Sequence, residues 1–234
     1  EANIIENHDQ PRGASLFIPE EDYGFYSLSA LATIIFCERG LPFLYQGQEI
    51  GMSNRQWKYD EFNDLETINQ YQIALKAGMS KEQALEIARH HSRDNARTPM
   101  QWSSEENAGF SKGKPWMPVN ENYKVVNVAE EEKEYGSILN FYKRLIAFYK
   151  SEEYNEILTY GDFRPIYEKE DHIFAYSRSY GCQKLVLICN FSSKEKDIEL
   201  SEDYENVIFV NYEQTTVIGN TLKMKPYECV IYEM

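Results

Sequence analysis

A histidine and an aspartate lie side by side near the start of the chain, directly after the apolar run ANII. His8 can donate a hydrogen bond, and the carboxylate of Asp9 can accept hydrogen bonds from neighbouring hydroxyl groups. The simplest interpretation of such a pair is structural, with the aspartate capping a turn and the histidine satisfied locally. A functional interpretation requires other chemically active side chains at the same place.

Further side chains of this kind follow later in the chain. Glu49 comes after a second apolar run, and Arg93, Asp94 and Arg97 lie in one tryptophan-bearing segment. Gathered at one edge of a sheet, such groups would form a polar pocket in which carboxylates accept from ligand hydroxyls and arginine holds a carboxylate by bidentate bonding. A ligand with many hydroxyl groups, such as a sugar, matches this set.

The elements that carry these residues predict parallel α/β structure. ANII predicts a strand that runs into a loop. Residues 25–40 are apolar nearly all round, with Arg39 in the last turn and Gly40 as the capping residue, and they predict a buried helix. Residues 41–47 predict a second strand. Polar residues follow both strands, at the ends where parallel sheets carry their functional groups.

The remaining patterns are helical, then irregular, then β-rich. Residues 64–78 predict a helix, and Ser80 begins another with Gln83 completing a capping box. Residues 92–128 are loop-like, but their Trp, Phe and Met content argues against disorder. Apolar spacing over 137–150 predicts an amphipathic helix.

Short β-rich runs separated by turns fill the chain from about residue 155 to its end. They have no helical period and predict a small antiparallel β-domain. We therefore divide the chain into residues 1–154 and residues 155–234.

Five motifs, in order, carry a resemblance: NHDQPR, PFLYQGQEIGM, SRDNARTPMQW, NAGFS and GKPW. They resemble the α-amylase superfamily of glycoside hydrolases, and within it the oligo-1,6-glucosidase, α-glucosidase, dextran glucosidase and trehalose-6-phosphate hydrolase group. The resemblance covers essentially the whole chain. It implies an α/β plus all-β fold, in which residues 1–154 are the last part of a (β/α)₈ TIM barrel, strands seven and eight, and residues 155–234 are a C-terminal antiparallel β-sandwich.

The resemblance also implies roles for individual residues. Asp9 resembles the catalytic carboxylate that binds two hydroxyls of the glucosyl ring and stabilises the transition state, and His8 resembles the neighbour that binds the same sugar. Arg93 resembles the arginine that pairs with an aspartate from the family's N-terminal region, and Arg97 is the second candidate for that role. Glu66 is a further candidate for contacting the substrate, although a surface glutamate without such a role fits its position equally well.

A retaining glycosidase needs a nucleophile and an acid/base carboxylate about 5 Å apart. The resemblance places both on the fourth and fifth barrel strands, ahead of residue 1 of this chain. We therefore expect the chain to be the C-terminal part of a retaining α-glucosidase for short oligosaccharides, with α-1,6 links, and to be inactive alone. Two alternatives stay open: a trehalose-6-phosphate hydrolase, and a non-catalytic amylase-like protein that binds glycans or acts as a scaffold.

Composition limits the partners and the compartment. The chain has 24 Lys and Arg against 38 Asp and Glu, a net charge of −14, which disfavours nucleic acid and anionic membranes but is compatible with an oligosaccharide substrate. The four cysteines lack metal-binding or redox spacing, so we expect buried free thiols and a reducing compartment. The resemblance implies a cytoplasmic location in a bacterium, because enzymes of this group usually act on imported oligosaccharides. No cofactor is expected, and a calcium site would belong to upstream residues.

An incomplete barrel predicts uncovered apolar surface. We expect the stretch ATIIF in the first long helix and PFLY in the second strand to expose faces that pack on other barrel strands in the family. Such surfaces would make this chain self-associate through its barrel edges.

Overall fold

The computed structural model describes residues 2–201 and 206–234, which form two compact units. The first unit contains the described residues of Glu1–Ile4, Asp22–Phe43 and Phe141–Met234, and the second contains Ile5–Glu21 and Leu44–Asn140. These units interleave along the chain. The division between residues 154 and 155 stays a prediction.

Helices and strands have the following bounds. The α-helices are α1 (Gly13–Phe17), α2 (Phe25–Cys37), α3 (Leu65–Lys76), α4 (Lys81–His91), α5 (Val128–Glu131), α6 (Ile138–Tyr149) and α7 (Asn155–Tyr160). The strands are β1 (Ala2–Asn3), β2 (Leu41–Pro42), β3 (Asp162–Pro165), β4 (Ile173–Tyr180), β5 (Gln183–Asn190), β6 (Lys196–Glu199), β7 (Asn206–Val210), β8 (Thr216–Ile218), β9 (Thr221–Met224) and β10 (Cys229–Glu233).

The predicted strand, helix and second strand are confirmed in the first unit. β1 and β2 pair in parallel, and α2 connects them along the chain. The amide of Asn3 donates to the carbonyls of Ile35 and Glu38, at 3.3 Å each, which ties β1 to the end of α2. The helix ends at Cys37, so Gly40 does not cap it but lies in the turn to β2 with a φ of 138°.

A β-sandwich forms most of the rest of the first unit, which also contains most of α6 and all of α7. One sheet has the strand order β3-β4-β5-β10-β7 and the other has the order β6-β9-β8, with antiparallel pairing throughout. Apolar side chains from both sheets form one buried cluster, which confirms the predicted antiparallel β-domain. The cluster contains Ala175, Val186, Ile188, Ile198, Leu222, Met224, Val230 and Tyr232. A short helix, α7, occupies the position at which the sequence predicted the β-structure to begin.

The expectation that ATIIF would be exposed is wrong. Ala32, Ile34 and Phe36 are all buried, at most 6% exposed. Strand β4 covers this helix within the same unit: the hydroxyl of Tyr176 donates to the carbonyl of Ile34 at 3.2 Å, and Arg178 donates to the last turn. The prediction allowed only barrel strands as partners for α2, whereas the sandwich also packs on it.

The PFLY segment does expose apolar side chains. Phe43 and Leu44 are 49% and 38% exposed. Self-association through such surfaces stays a prediction.

Three of the four cysteines are buried free thiols, as predicted. These are Cys37, Cys189 and Cys229, whereas Cys182 is exposed in the turn between β4 and β5. Burial raises the pKa of Cys37 to about 12. In the described part of the chain, no helix combines the length and apolarity that crossing a membrane requires.

Helices α3 and α4 organise the second unit. They enclose a buried cluster that includes Trp57, Tyr71 and Met117. Helix α4 begins with the predicted capping box, in which Ser80 accepts from the backbone N–H of Gln83 and Gln83 accepts from that of Ser80. This pair fixes the start of the helix whose other end leads into the candidate site.

The long irregular segment is confirmed, and both polar contacts and buried methionines hold it in place. Residues 92–127 contain the 3₁₀ turns Arg93–Arg97, Glu106–Gly109 and Glu121–Lys124. Its methionines Met100 and Met117 are buried, but Trp102 and Trp116 are exposed. The aromatic content that argued against disorder is therefore not what holds the segment together.

Candidate functional site

A local turn presents His8 and Asp9. The side-chain oxygen of Asn7 accepts a hydrogen bond from the backbone N–H of Asp9 at 2.8 Å, an Asx-type turn contact. Both following side chains are exposed, and His8 Nε2 lies 3.1 Å from Asp9 Oδ2. The turn therefore leaves a carboxylate and an imidazole side by side at the surface of the second unit.

Two arginines approach the carboxylate of Asp9 from the Arg93–Arg97 turn. Arg97 Nη2 donates to Asp9 Oδ1 at 2.7 Å, and its Nε donates to the backbone carbonyl of His8 at 2.9 Å. Arg93 Nη1 lies 3.5 Å from the same Oδ1 atom. The structure thus brings together four of the five side chains to which the resemblance assigns roles: His8, Asp9, Arg93 and Arg97.

Arg93 has a second and closer partner in Asp64, the residue that precedes α3. Arg93 Nη2 donates to Asp64 Oδ1, and Asp64 also accepts from the hydroxyl of Thr67 at 2.7 Å. Burial raises the pKa of Asp64, but the hydrogen bonds from Arg93 and Thr67 outweigh it and lower that pKa to about 2. Asp64 is therefore an ionised, buried anchor for Arg93.

Asp94 is the second buried carboxylate next to these arginines. Its Oδ2 accepts from the backbone N–H groups of Asn63 and Asp64 at 2.7 and 2.9 Å. Its Oδ1 has no hydrogen-bond donor among the described residues and lies 3.8 Å from Arg97 Nη1. Sequence reasoning identified Asp94 only as a nearby carboxylate and Asp64 only as the start of a helix.

A buried asparagine fixes the turn that carries both arginines. Asn95 Oδ1 accepts from the indole N–H of Trp57 at 2.7 Å and from the backbone N–H of Arg55 at 3.0 Å. Its Nδ2 donates to the carbonyl of Arg89 at 2.7 Å. These contacts satisfy both ends of the amide in a buried position, so the Arg93–Arg97 backbone is held in one conformation.

A buried ion pair fixes the segment that carries His8 and Asp9. Arg12 and Glu6 are both buried and lie 3.2 Å apart. Arg12 also donates to the carbonyls of Gln46 and Asn95, at 2.7 and 3.3 Å, and so connects three segments of the unit. Burial raises the pKa of Glu6, and the charge of Arg12 opposes that rise.

The remaining predicted residues lie further out. Glu66 is exposed on α3 and accepts from the amide of Gln70 at 3.3 Å, and its charge adds to those of Asp64 and Asp9 in raising the pKa of Arg93. The hydrogen bond that Arg93 donates to Asp64 is the largest cause of that rise. Glu49 accepts from the backbone N–H of Gly47 at 2.7 Å, a contact within its own turn.

The arrangement is suited to binding neutral hydroxyl groups. Asp9 offers acceptor oxygens, and His8 offers a ring nitrogen at an exposed position. Among residues 2–201 and 206–234, no group of three or more His, Cys, Asp or Glu side chains has the arrangement of a metal site.

Comparison with known proteins identifies two sequence families in the chain. The alpha-amylase catalytic domain matches residues 1–161, and the C-terminal domain of the alpha-amylase SusG matches residues 173–231. The first match covers more than half of the chain. In these terms β1, α2 and β2 belong to the last part of a (β/α)₈ barrel, and the antiparallel sheets form the C-terminal β-domain.

Similar proteins are longer than this chain. It is 40% identical to an oligo-1,6-glucosidase of Bacillus cereus over 97% of its own length and 41% of that protein. A trehalose-6-phosphate hydrolase of Bacillus licheniformis superimposes with a TM-score of 0.92 at 37% identity, over 99% of this chain and 42% of that one. An isomaltulose synthase of Protaminobacter rubrum superimposes with a TM-score of 0.89 at 34% identity, over 99% of this chain and 42% of the synthase. The chain thus spans about 41% of the length of the B. cereus enzyme, and by its match to the catalytic domain it belongs to the alpha-amylase family.

Proposed function

We propose that the protein containing this chain is a retaining α-glucosidase that hydrolyses α-glucosidic bonds of short oligosaccharides, with α-1,6 as its preferred linkage. Relatives named oligo-1,6-glucosidase and glucan 1,6-alpha-glucosidase, at 40% and 34% identity, support the reaction class. In this proposal the nucleophile and the acid/base carboxylate are supplied by residues outside the 234 of this chain.

The observation that carries the proposal is the exposed carboxylate of Asp9 beside His8. Arg97 holds this carboxylate at 2.7 Å, so its orientation is fixed while its oxygens remain accessible at the surface. Hydrogen bonds that a carboxylate accepts from sugar hydroxyls lower the barrier for glycoside cleavage when they strengthen in the transition state. Asp9 is thus assigned to transition-state stabilisation, with His8 binding the same sugar.

The two arginines differ in their contact with Asp9, and this contact is separate from the proposed pairing of Arg93, or else of Arg97, with an aspartate from the N-terminal region of the complete protein. Arg97 is closer to Asp9 than Arg93 is, and Arg93 is shared with Asp64. We therefore assign the contact with the sugar-binding carboxylate to Arg97 first and to Arg93 second. Glu66 remains a proposed contact for the next sugar unit.

The charge at the site supports a neutral substrate over a phosphorylated one. Asp9, Asp64 and Asp94 give three carboxylates against the two guanidinium groups of Arg93 and Arg97, which leaves one net negative charge. A sugar phosphate would require cations that are not already neutralised. The proposed reaction uses carboxylates and no cofactor, and we place the protein in the cytoplasm because three of its four thiols are buried and free.

Hydrolysis by the complete protein tests this proposal. Isomaltose, maltose and trehalose 6-phosphate are offered at equal concentrations, and glucose release is measured for the complete protein and for the 234-residue chain. The proposal predicts the highest kcat/KM on isomaltose and no turnover by the chain alone. A preference for trehalose 6-phosphate would support the phosphohydrolase alternative, and failure to hydrolyse any of the three would support a glycan-binding protein without catalysis.

A further inference from the structure

Five charged residues close a ring at the candidate site, which we call the Asp9 ring: Asp9, Arg93, Asp64, Asp94 and Arg97. Arg93 contacts the carboxylates of Asp9 and Asp64, and Arg97 contacts those of Asp9 and Asp94. Asp94 closes the ring by accepting from the backbone N–H of Asp64 at 2.9 Å. Positive and negative groups therefore alternate on both paths that lead to Asp9.

We propose that Asp64 and Asp94 are positioning residues that set the orientation of the Asp9 carboxylate through the two arginines. This role rests on the proposed function, in which Asp9 binds the sugar. Neither aspartate needs to touch substrate. Each acts through the guanidinium group that it shares with Asp9.

The exposed fraction of the side chains increases from the two buried aspartates through the two arginines to Asp9. The side chains of Asp64 and Asp94 are 3% and 1% exposed, those of Arg93 and Arg97 are 34% and 27% exposed, and that of Asp9 is 51% exposed. Asp64 and Asp94 thus lie buried beneath the two arginines, and Asp9 lies at the surface. A ligand can reach Asp9 without disturbing the two buried carboxylates.

The two buried carboxylates divide their oxygens in a similar way. Asp64 Oδ2 accepts from the N–H and the hydroxyl of Thr67, while Oδ1 accepts from Arg93 and, at 3.4 Å, from the N–H of Glu66. Asp94 Oδ2 accepts from the N–H groups of Asn63 and Asp64, while Oδ1 faces Arg97. In each case one oxygen accepts only from backbone N–H or hydroxyl groups, and the other is presented to an arginine.

The fixed carboxylates restrain the two arginines. Arginine loses much rotamer freedom when it is held in one geometry, and a planar guanidinium held at one edge presents its other donors in a fixed direction. Fixing Arg93 and Arg97 from below therefore limits the orientations available to Asp9 before substrate arrives. Catalytic groups need placement to within a fraction of an ångström, so loss of this support lowers the rate more than the affinity.

The test replaces each buried carboxylate by the matching amide in the complete protein, with isomaltose as substrate. In Asp64→Asn and Asp94→Asn, one side-chain oxygen remains to accept from the backbone N–H groups. Asparagine at position 64 also caps α3 as well as aspartate does. We expect kcat to fall about tenfold or more, with KM within about twofold and the circular dichroism spectrum of a folded protein retained at neutral pH. Asp64→Ser, which also keeps a capping oxygen, serves as a second variant, and Asp197→Asn, in an exposed ion pair, is the control for loss of a charge.

Double mutants separate positioning from general damage. If Asp64 acts through Arg93, Asp64→Asn causes little further loss in an Arg93→Ala background, and Asp94→Asn likewise causes little in an Arg97→Ala background. Fully additive losses, or a kcat within twofold of the wild type for both amide variants, would overturn the positioning role.

One further variant separates the positioning role from the proposed function. If Asp9→Asn is inactive while the amide variants behave like the wild type, the positioning role alone is wrong. If Asp9→Asn remains active, Asp9 does not bind the reacting sugar. In that case both the positioning role of Asp64 and Asp94 and the role of Asp9 in the proposed function are wrong.

Discussion

Arg97 holds Asp9 by its side chain and by the backbone next to it. Nη2 donates to Asp9 Oδ1 at 2.7 Å, and Nε donates to the carbonyl of His8 at 2.9 Å. These contacts link residues that are 88 and 89 positions apart in the chain. A lysine could not reproduce them, because it lacks a planar group with two parallel donors.

This relationship predicts different effects for the two arginines. Arg97→Ala should lower kcat/KM of the complete protein by about 10–100-fold, because a hydrogen bond to a charged group contributes about 1.5–3 kcal/mol. Arg93→Ala should lower kcat/KM less than Arg97→Ala does, because Arg93 lies 3.5 Å from the Asp9 carboxylate and Arg97 lies 2.7 Å from it. Steady-state kinetics on isomaltose measure both, and a larger loss for Arg93→Ala would reverse the assignment.

The ionised state of Asp64 predicts a pH-dependent contribution to stability. Its pKa is lowered to about 2 in the folded chain, against about 3.9 in an unfolded one. The contribution is therefore present above about pH 4, amounts to about 2 kcal/mol, and is lost as the pH falls from about 4 to about 2. Urea unfolding of the wild type and Asp64→Asn at several pH values should show a difference in unfolding free energy that shrinks over this range. A difference independent of pH would contradict it.

Arg178 predicts a stability effect in the first unit. This buried arginine donates to the carbonyls of Cys37 and Gly161, at 2.8 and 3.1 Å, at the ends of α2 and α7. Burial lowers its pKa, so part of the gain from these contacts is offset by desolvation. Arg178→Met should still lower the unfolding free energy by about 2–4 kcal/mol, because two buried carbonyls lose their donors.

Urea denaturation followed by circular dichroism measures the effect of Arg178→Met. Lys223→Met, which removes an exposed partner of Asp197, is the matched control and should change the unfolding free energy by less than about 0.5 kcal/mol. Equal effects of the two substitutions would show that the buried contacts of Arg178 contribute no special stability.

Thiol accessibility predicts a simple labelling result. Cys182 is exposed, whereas Cys37, Cys189 and Cys229 are buried. A thiol reagent should therefore modify one cysteine rapidly in the native chain and the others only after unfolding, and burial further slows Cys37 by raising its pKa to about 12. Cys182→Ser should abolish the rapid phase, and rapid labelling of more than one thiol would be inconsistent with the packing of the first unit.

The sequence predicted those features that depend on local patterns. Ser80 and Gln83 are three residues apart and define the start of α4, and the apolar spacing of residues 137–150 defines α6. The β-rich runs predicted the sandwich because short apolar runs between turns, without a helical period, are typical of antiparallel strands. His8 and Asp9 could be singled out because they are adjacent in the chain.

Features that depend on distant partners were not predictable in the same way. Asp64 is a good helix-capping residue by sequence, but its pairing with Arg93 joins positions 29 residues apart. Burial of α2 depends on Tyr176, which lies 142 residues beyond the carbonyl that it contacts. A single sequence gives the composition and the local spacing of apolar residues. Neither of these identifies the distant side chain that will neutralise a charge or cover a helix.

The role of Asp9 is tested most directly by the kinetics of Asp9→Asn in the complete protein. Asparagine has nearly the same shape but carries no charge, so the fold and the contact with Arg97 can persist while stabilisation of the oxocarbenium-like transition state is lost. We expect a fall in kcat on isomaltose of about 100-fold or more, with a much smaller change in KM. A folded Asp9→Asn protein that keeps kcat within a few-fold of the wild type would contradict the assignment of Asp9 to the reacting sugar.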